Sequence, residues 1–196
     1  MKPIKALGID ATSCKKEIYI PETDQHYAQK VLEEMGNNSK IVAIHPCSSR
    51  KHKNWPKENY IKLINLLKNC DIFLLGAKKD RESIQDIMLN TNGNIHPFID
   101  MSLLKVAALI KKSNLFIGGD SGLMHIADAV NTPIVALFGP SNPAVSGPLS
   151  KDAIIIKKEV PCSPCRQNKP CHKTVRCMEL IELEDVFKAV KYITQK

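Results

Sequence analysis

The chain has 196 residues, 43% of them hydrophobic and 24% charged, and a formal net charge of +8. These proportions are ordinary for a soluble globular protein, and the length suffices for one domain with a real core or for half of a larger two-domain protein. No apolar run is long enough to cross a bilayer as a helix, and "MKPIKALGID" lacks a signal-peptide core, so the expected location is the cytoplasm.

In chain order, residues 1–22 have weak periodicity and read as a loop or linker. "PETDQHYAQKVLEEMGNN" reads as a helix. Thr23 or Asp24 can cap it, Gly36 can stop it, and Tyr27, Val31, Leu32 and Met35 share helical spacing. From residue 41 the apolar runs "IVAIHP", "DIFLLG", "HPFID", "LFIGG", "PIVALFG" and "AIIIKK" read as buried parallel strands. Amphipathic segments at 56–69, 80–90, 103–112, 121–130 and 184–193 lie between or after them. Ser102 is set to cap the third of these. The alternation predicts an α/β fold with a doubly wound parallel sheet, whose ligands bind outside the carboxyl ends of the strands.

The polar residues that follow those strands are therefore the candidate site. After the first strand, Ser48 and Ser49 offer hydroxyls and Arg50, Lys51 and Lys53 offer cations. That set suits a diphosphate and equally suits a basic surface loop; it has no P-loop glycine spacing. After the second strand, Asp80 or Glu82 can hold a ribose hydroxyl or serve as a helix-start acid. After the third, Met101 can lie against a flat ring such as adenine or fill the core.

After the fourth strand comes "GGDSGLMH". Gly118 and Gly119 permit a tight turn or close approach. Asp120 or Ser121 can cap the next helix, whose free first-turn N–H groups make an anion site. Asp120 itself would repel a phosphate, so it caps the helix or accepts hydroxyls of a polyol such as a sugar. His125 lies one turn on from Ser121.

The region from Lys151 to Arg176 holds seven Lys/Arg against two Asp/Glu, and "RKHKNWPK" is a second basic cluster. Such patches suit phosphates, nucleic acid or an acidic membrane surface. Cys162, Cys165, Cys171 and Cys177 crowd one segment. They allow a structural zinc site, with His172 as a further ligand, or free thiols or disulfides.

The stretches "HPCSSRKHKNWPKENY", "MSLLKVAALIKKSNLFIGGDSGLMHIADAVNTPIVALFGPSNP" and "CSPCRQNKPC…RCMELIELEDV" resemble the C-terminal half of the glycosyltransferase family 9 heptosyltransferases. Those enzymes move heptose from ADP-heptose onto lipopolysaccharide core. The resemblance runs from about Ile41 to the C-terminus. It implies a Rossmann-like domain equivalent to the C-terminal domain of a GT-B glycosyltransferase. Residues 41–196 would be the nucleotide-sugar-binding domain, with the Cys-rich segment 162–177, and residues 1–40 an interdomain-like linker and leading helix.

By the same resemblance, Ser48, Ser49 and Lys53 would bind the diphosphate and Asp80 the ribose. Met101 would contact adenine. Asp120, Ser121, Gly122 and His125 would meet the diphosphate and donor sugar. Family members also have an N-terminal domain that reads the acceptor and supplies the general base for inverting transfer. Residues 1–40 resemble only the interdomain segment, so no catalytic base is expected in these 196 residues and transfer by them alone is expected to be weak or nil.

The implied partners are an ADP-sugar, a separate acceptor domain, and a lipid-linked glycan on the inner face of the membrane. No cofactor is required for transfer. A non-catalytic nucleotide-sugar-binding module is the alternative. A nucleic-acid module is more distant, because 5% aromatic content gives few stacking platforms.

Overall fold

The computed structural model describes residues 16–36, 39–165, 171 and 176–195. Its six strands are β1 (Lys40–His45), β2 (Cys70–Gly76), β3 (Asn94–Ile99), β4 (Leu115–Gly119), β5 (Ile134–Phe138) and β6 (Ile154–Lys157). They form one parallel sheet in the order β3-β2-β1-β4-β5-β6. The helices are α1 (Glu22–Met35), α2 (Lys57–Leu66), α3 (Arg81–Leu89), α4 (Leu103–Lys112), α5 (Gly122–Ala129), α6 (Pro143–Ser146) and α7 (Leu183–Thr194).

The apolar runs become central strands because helices cover both faces of the sheet. Side chains alternate between faces with period two. Val42, Ile44, Ile72, Leu74, Ile117 and Leu137 point to one core, closed by Tyr60, Leu63 and Ile64 of α2, Ile84 and Ile87 of α3, and Val186 of α7. Ala43, Phe73, Phe116 and Ala136 point to the other, closed by Leu109 and Ile110 of α4, Met124 and Ile126 of α5, and Ala28 of α1. Burial of this kind stabilises by about 25 cal/mol per Å² of apolar surface.

The element boundaries differ from expectation in instructive places. Pro21 occupies the N-cap position of α1 in place of Thr23 or Asp24, and Pro56 does the same for α2. Gly36 ends α1 as expected, in the left-handed region, with its N–H on Leu32 and Glu33 carbonyls. Ser102 accepts from the Lys105 N–H at the start of α4. β3 starts at Asn94, earlier than "HPFID" implied. Buried Asp71 on β2 reaches across to the Asn94 amide and to His96 Nε2, 3.0 Å away, and so extends the pairing.

All strands run the same way, but the order in which they are added to the sheet reverses between β1 and β4. β1 lies between β2 and β4, so the loops after β1 and β4 diverge and leave a crevice at their carboxyl ends.

Candidate functional site

Two loops meet in that crevice. β1 runs out through His45 and Pro46 to a short 3-10 turn at Lys51–Lys53. β4 runs through Gly118 and Gly119 into Asp120 and Ser121, which precede α5. His45 is in register with Gly118. A Cβ on Gly118 would lie 3.2 Å from the His45 carbonyl oxygen, and one on Gly119 would lie 3.1 Å from the Lys53 carbonyl oxygen. The glycines therefore admit a close backbone approach between the loops.

Across this contact Lys53 Nζ lies 2.5 Å from Asp120 Oδ2, with both side chains only 11% exposed. Ser141, which follows β5, donates its hydroxyl to the same oxygen. Burial works to raise the Asp120 carboxyl, but the bonds from Lys53 and Ser141, with the Lys53 charge, hold it below the usual carboxylate range. Asp120 thus does not cap α5.

Ser121 occupies the N-cap position of α5 without a side-chain capping bond. Its hydroxyl faces His45 Nδ1 at 3.1 Å. The position of a Cβ on Gly122 is open space, so the first turn of α5 is accessible to a ligand.

Further along α5, His125 Nδ1 is 3.1 Å from Lys16 Nζ. Lys16 also pairs with Asp128 at 2.9 Å, and Asp128 accepts from the Leu149 and Ser150 N–H groups. Burial and the Lys16 charge press the His125 imidazole below its usual range.

The other expected residues form a neighbouring group. Ser48 Oγ donates to the Arg50 carbonyl and accepts from the Arg50 N–H, so its hydroxyl shapes its own loop. Ser48, Ser49 and Asp80 line a cavity of about 820 Å³, together with Cys47, Ser83 and Arg176. Asp80 is buried and accepts from the Ala77 N–H at 3.0 Å. His52 Nε2 and Asn54 Oδ1, buried and without a partner, belong to residues on the same wall. Burial pushes the Cys47 thiol up to about 11, which keeps it uncharged. Met101 lies apart, half-buried, with its sulfur 4.0 Å from the Tyr27 hydroxyl of α1.

The expected residues thus fall into two neighbouring groups, Lys53, Asp120, Ser121 and Gly122, and Ser48, Ser49 and Asp80, with Met101 apart from both. His125 stands one helical turn above the first. His45 and Ser141 complete the first group without having been foreseen.

His45 also carries a pH-dependent stability. Burial lowers its imidazole to about 4, with Asp80 opposing and Lys79 assisting. An unfolded histidine takes its proton near 6.5, so between about pH 6.5 and 4 the unfolded chain binds more protons. Stability falls as pH falls through that window, by up to roughly 3 kcal/mol from this group. Urea midpoints measured from about pH 7 to 4.5 are expected to drop less in His45→Asn than in wild type. Parallel curves would show that His45 is not buried neutral.

Residues 163–165, near the start of the Cys-rich segment, dock on the chain that follows β5. Ser163 Oγ donates to the Gly139 carbonyl and the Cys165 N–H to the Pro140 carbonyl. Cys162, Cys165, Cys171 and Cys177 are free thiols. Burial raises Cys165 and Cys177, and the neighbouring thiols raise them further. Among the described residues no group of three or more His, Cys, Asp or Glu side chains is set to hold a metal. The zinc site that the four cysteines allow is not assembled among the described residues, and His172 lies outside them. No helix among the described residues is long and apolar enough to cross a membrane.

Comparison with known proteins bears on this arrangement. The model of glycosyltransferase family 9 (heptosyltransferase) matches residues 3–175. Lipooligosaccharide heptosyltransferase 2 of Haemophilus ducreyi is 34% identical over 148 residues, which cover 70% of this chain and 42% of that protein. The chain spans about half the length of the curated relatives it matches. Among solved structures, the family 9 glycosyl transferase of Veillonella parvula superposes with a TM-score of 0.85 at 24% identity, covering 99% of this chain and 58% of that one. ADP-heptose lps heptosyltransferase II of E. coli superposes with a TM-score of 0.78 at 22% identity, covering 97% and 56%.

Proposed function

The chain belongs to glycosyltransferase family 9, and we propose that it is the nucleotide-sugar-binding half of a heptosyltransferase-type enzyme that builds lipopolysaccharide or a related surface glycan. The observation that carries this reading is the crevice itself. A largely shielded lysine, a hydroxyl and an open helix N-terminus converge where the order of the sheet reverses. Helix N–H groups and a cation suit a diphosphate, and the ionised Asp120 beside them suits sugar hydroxyls.

In this reading Lys53, Ser121 and Gly122 take the diphosphate, with Ser49 at the rim. Asp80 takes the ribose and the exposed part of Met101 the adenine. Asp120 and His125 meet the sugar. Ser48 acts through the shape of its loop. Asp120 is already ion-paired and accepts from Ser141, which makes it a poor proton acceptor. The base that activates the acceptor hydroxyl then belongs to a second half that reads a lipid-linked glycan at the inner membrane face, and transfer by this chain alone is slow or absent. Such a dependence fits a chain that spans about half of its relatives.

Calorimetric titration with ADP, pyrophosphate and UDP tests the site. One ADP per chain, displaced by pyrophosphate and preferred over UDP, is the expected result. The absence of any nucleotide binding overturns the reading. Rapid transfer from an ADP-sugar by the isolated chain would overturn its dependence on a second half.

A further inference from the structure

The N-cap position of α5 holds a serine that does not cap. A serine there ordinarily accepts from the N–H two or three residues on. Ser121 is extended, with φ −147° and ψ 166°, and makes no such bond. Its hydroxyl is instead 3.1 Å from Nδ1 of His45. His45 ends the central strand, is 9% exposed, and is held in place by the register with Gly118. The contact spans 76 residues of sequence.

The chemistry of this pair has two states. A neutral imidazole carries its one proton on Nδ1 or on Nε2. If Nδ1 is bare, it accepts the Ser121 proton, and the serine turns lone pairs toward any ligand over α5. If Nδ1 carries the proton, it donates to Ser121 Oγ, and the serine proton is free to point outward. Only the second state leaves Ser121 a donor, and an anion needs donors.

Resting on the nucleotide-binding reading above, we infer that His45 is a positioning residue: as its Nδ1–H tautomer it donates to Ser121 Oγ and so directs the Ser121 hydroxyl proton at the bound phosphate. Burial keeps the ring neutral at physiological pH, so one fixed tautomer serves, and Asp80 and Lys79 are the charged groups that bear on it. The ring does not touch the ligand; its effect passes through one hydroxyl.

The test pairs a spectroscopic signature with a mutant cycle. Long-range proton–nitrogen NMR of the 15N-labelled chain reads the His45 tautomer with and without ADP. His45→Phe and Ser121→Ala are each expected to weaken ADP and pyrophosphate by about tenfold, one hydrogen bond to a charged group. The double variant is expected to be no weaker than either single one, because both remove the same donor. His45→Asn, whose amide N–H can replace Nδ1–H, is expected to restore affinity to within about threefold of wild type. It also keeps the test open if the Phe variant fails to fold. An Nε2–H tautomer in the ADP-bound chain, or losses that multiply in the double variant, overturns the role of His45 while leaving nucleotide binding intact. Failure of the wild-type chain to bind ADP or pyrophosphate overturns the nucleotide reading and this inference with it.

Discussion

Lys53→Ala is expected to lower the affinity of the chain for ADP by roughly tenfold to 150-fold, the range of a hydrogen bond to a charged group, whereas Asp120→Asn is expected to raise it. The opposite signs follow from one ion pair. Lys53 Nζ and Asp120 Oδ2 lie 2.5 Å apart and are largely shielded from water, so the cation that a diphosphate would use is already held by a carboxylate. Removal of Lys53 deletes the donor and leaves Asp120 ionised with Ser141 as its remaining hydrogen-bond partner, a negative charge beside the incoming phosphates. Removal of the Asp120 charge frees Lys53 for the phosphate and takes away that repulsion. A gain of about threefold to tenfold is expected for Asp120→Asn, with ADP tightening more than an ADP-sugar, because the sugar exchanges a charged acceptor with two oxygens for a neutral amide with one. Calorimetry with both ligands reads these effects. If Asp120→Asn weakens ADP as much as Lys53→Ala does, the carboxylate serves to hold the lysine in position and the competition described here does not exist.

The same pair shows what sequence could and could not disclose. The strands were legible because a strand covered by helices on both faces must be apolar along its length, as "IFLL" and "IVALF" are. The start of β3 was not, because Asn94 and His96 are polar and are recruited by Asp71 on the neighbouring strand. Lys53 and Asp120 were legible as residue types following strands. Their pairing across 67 residues was not, since it depends on β4 returning beside β1. For the same reason "IVAIHP" reads as a strand with a histidine at its end, and "GPSNP" as a turn. Nothing local marks His45 as the partner of Ser121, or Ser141 as the partner of Asp120. The available signal was the strand order itself, because a doubly wound sheet places the first, fourth and fifth strands side by side. Asp120 had been assigned by its local context to capping or to sugar, and tertiary contacts removed the first option.

Trp55 is expected to matter more to stability than any side chain in the crevice. It is 2% exposed, its indole Nε1–H donates to the Ile181 carbonyl at 2.9 Å, and its ring meets Tyr60 edge-on at 5.0 Å. It therefore joins the loop that carries Lys53 to α2 on one side and to the segment before α7 on the other. Trp55→Ala loses the packing of a large buried aromatic ring, for which about 3–5 kcal/mol is typical. A typical domain has about 5–15 kcal/mol in all, so this variant is left with little stability. Trp55→Phe keeps most of the packing but strands the Ile181 carbonyl, at a cost of about 1–3 kcal/mol. Urea unfolding followed by far-UV circular dichroism measures both, since Trp55 is the only tryptophan in the chain and its loss silences the fluorescence. Equal destabilisation by Ala and Phe would locate the whole effect in the hydrogen bond; an unchanged Phe variant would locate it all in packing. The intermediate outcome is expected because the indole has two independent attachments, and because the loop that positions Lys53 is fixed at that point by both.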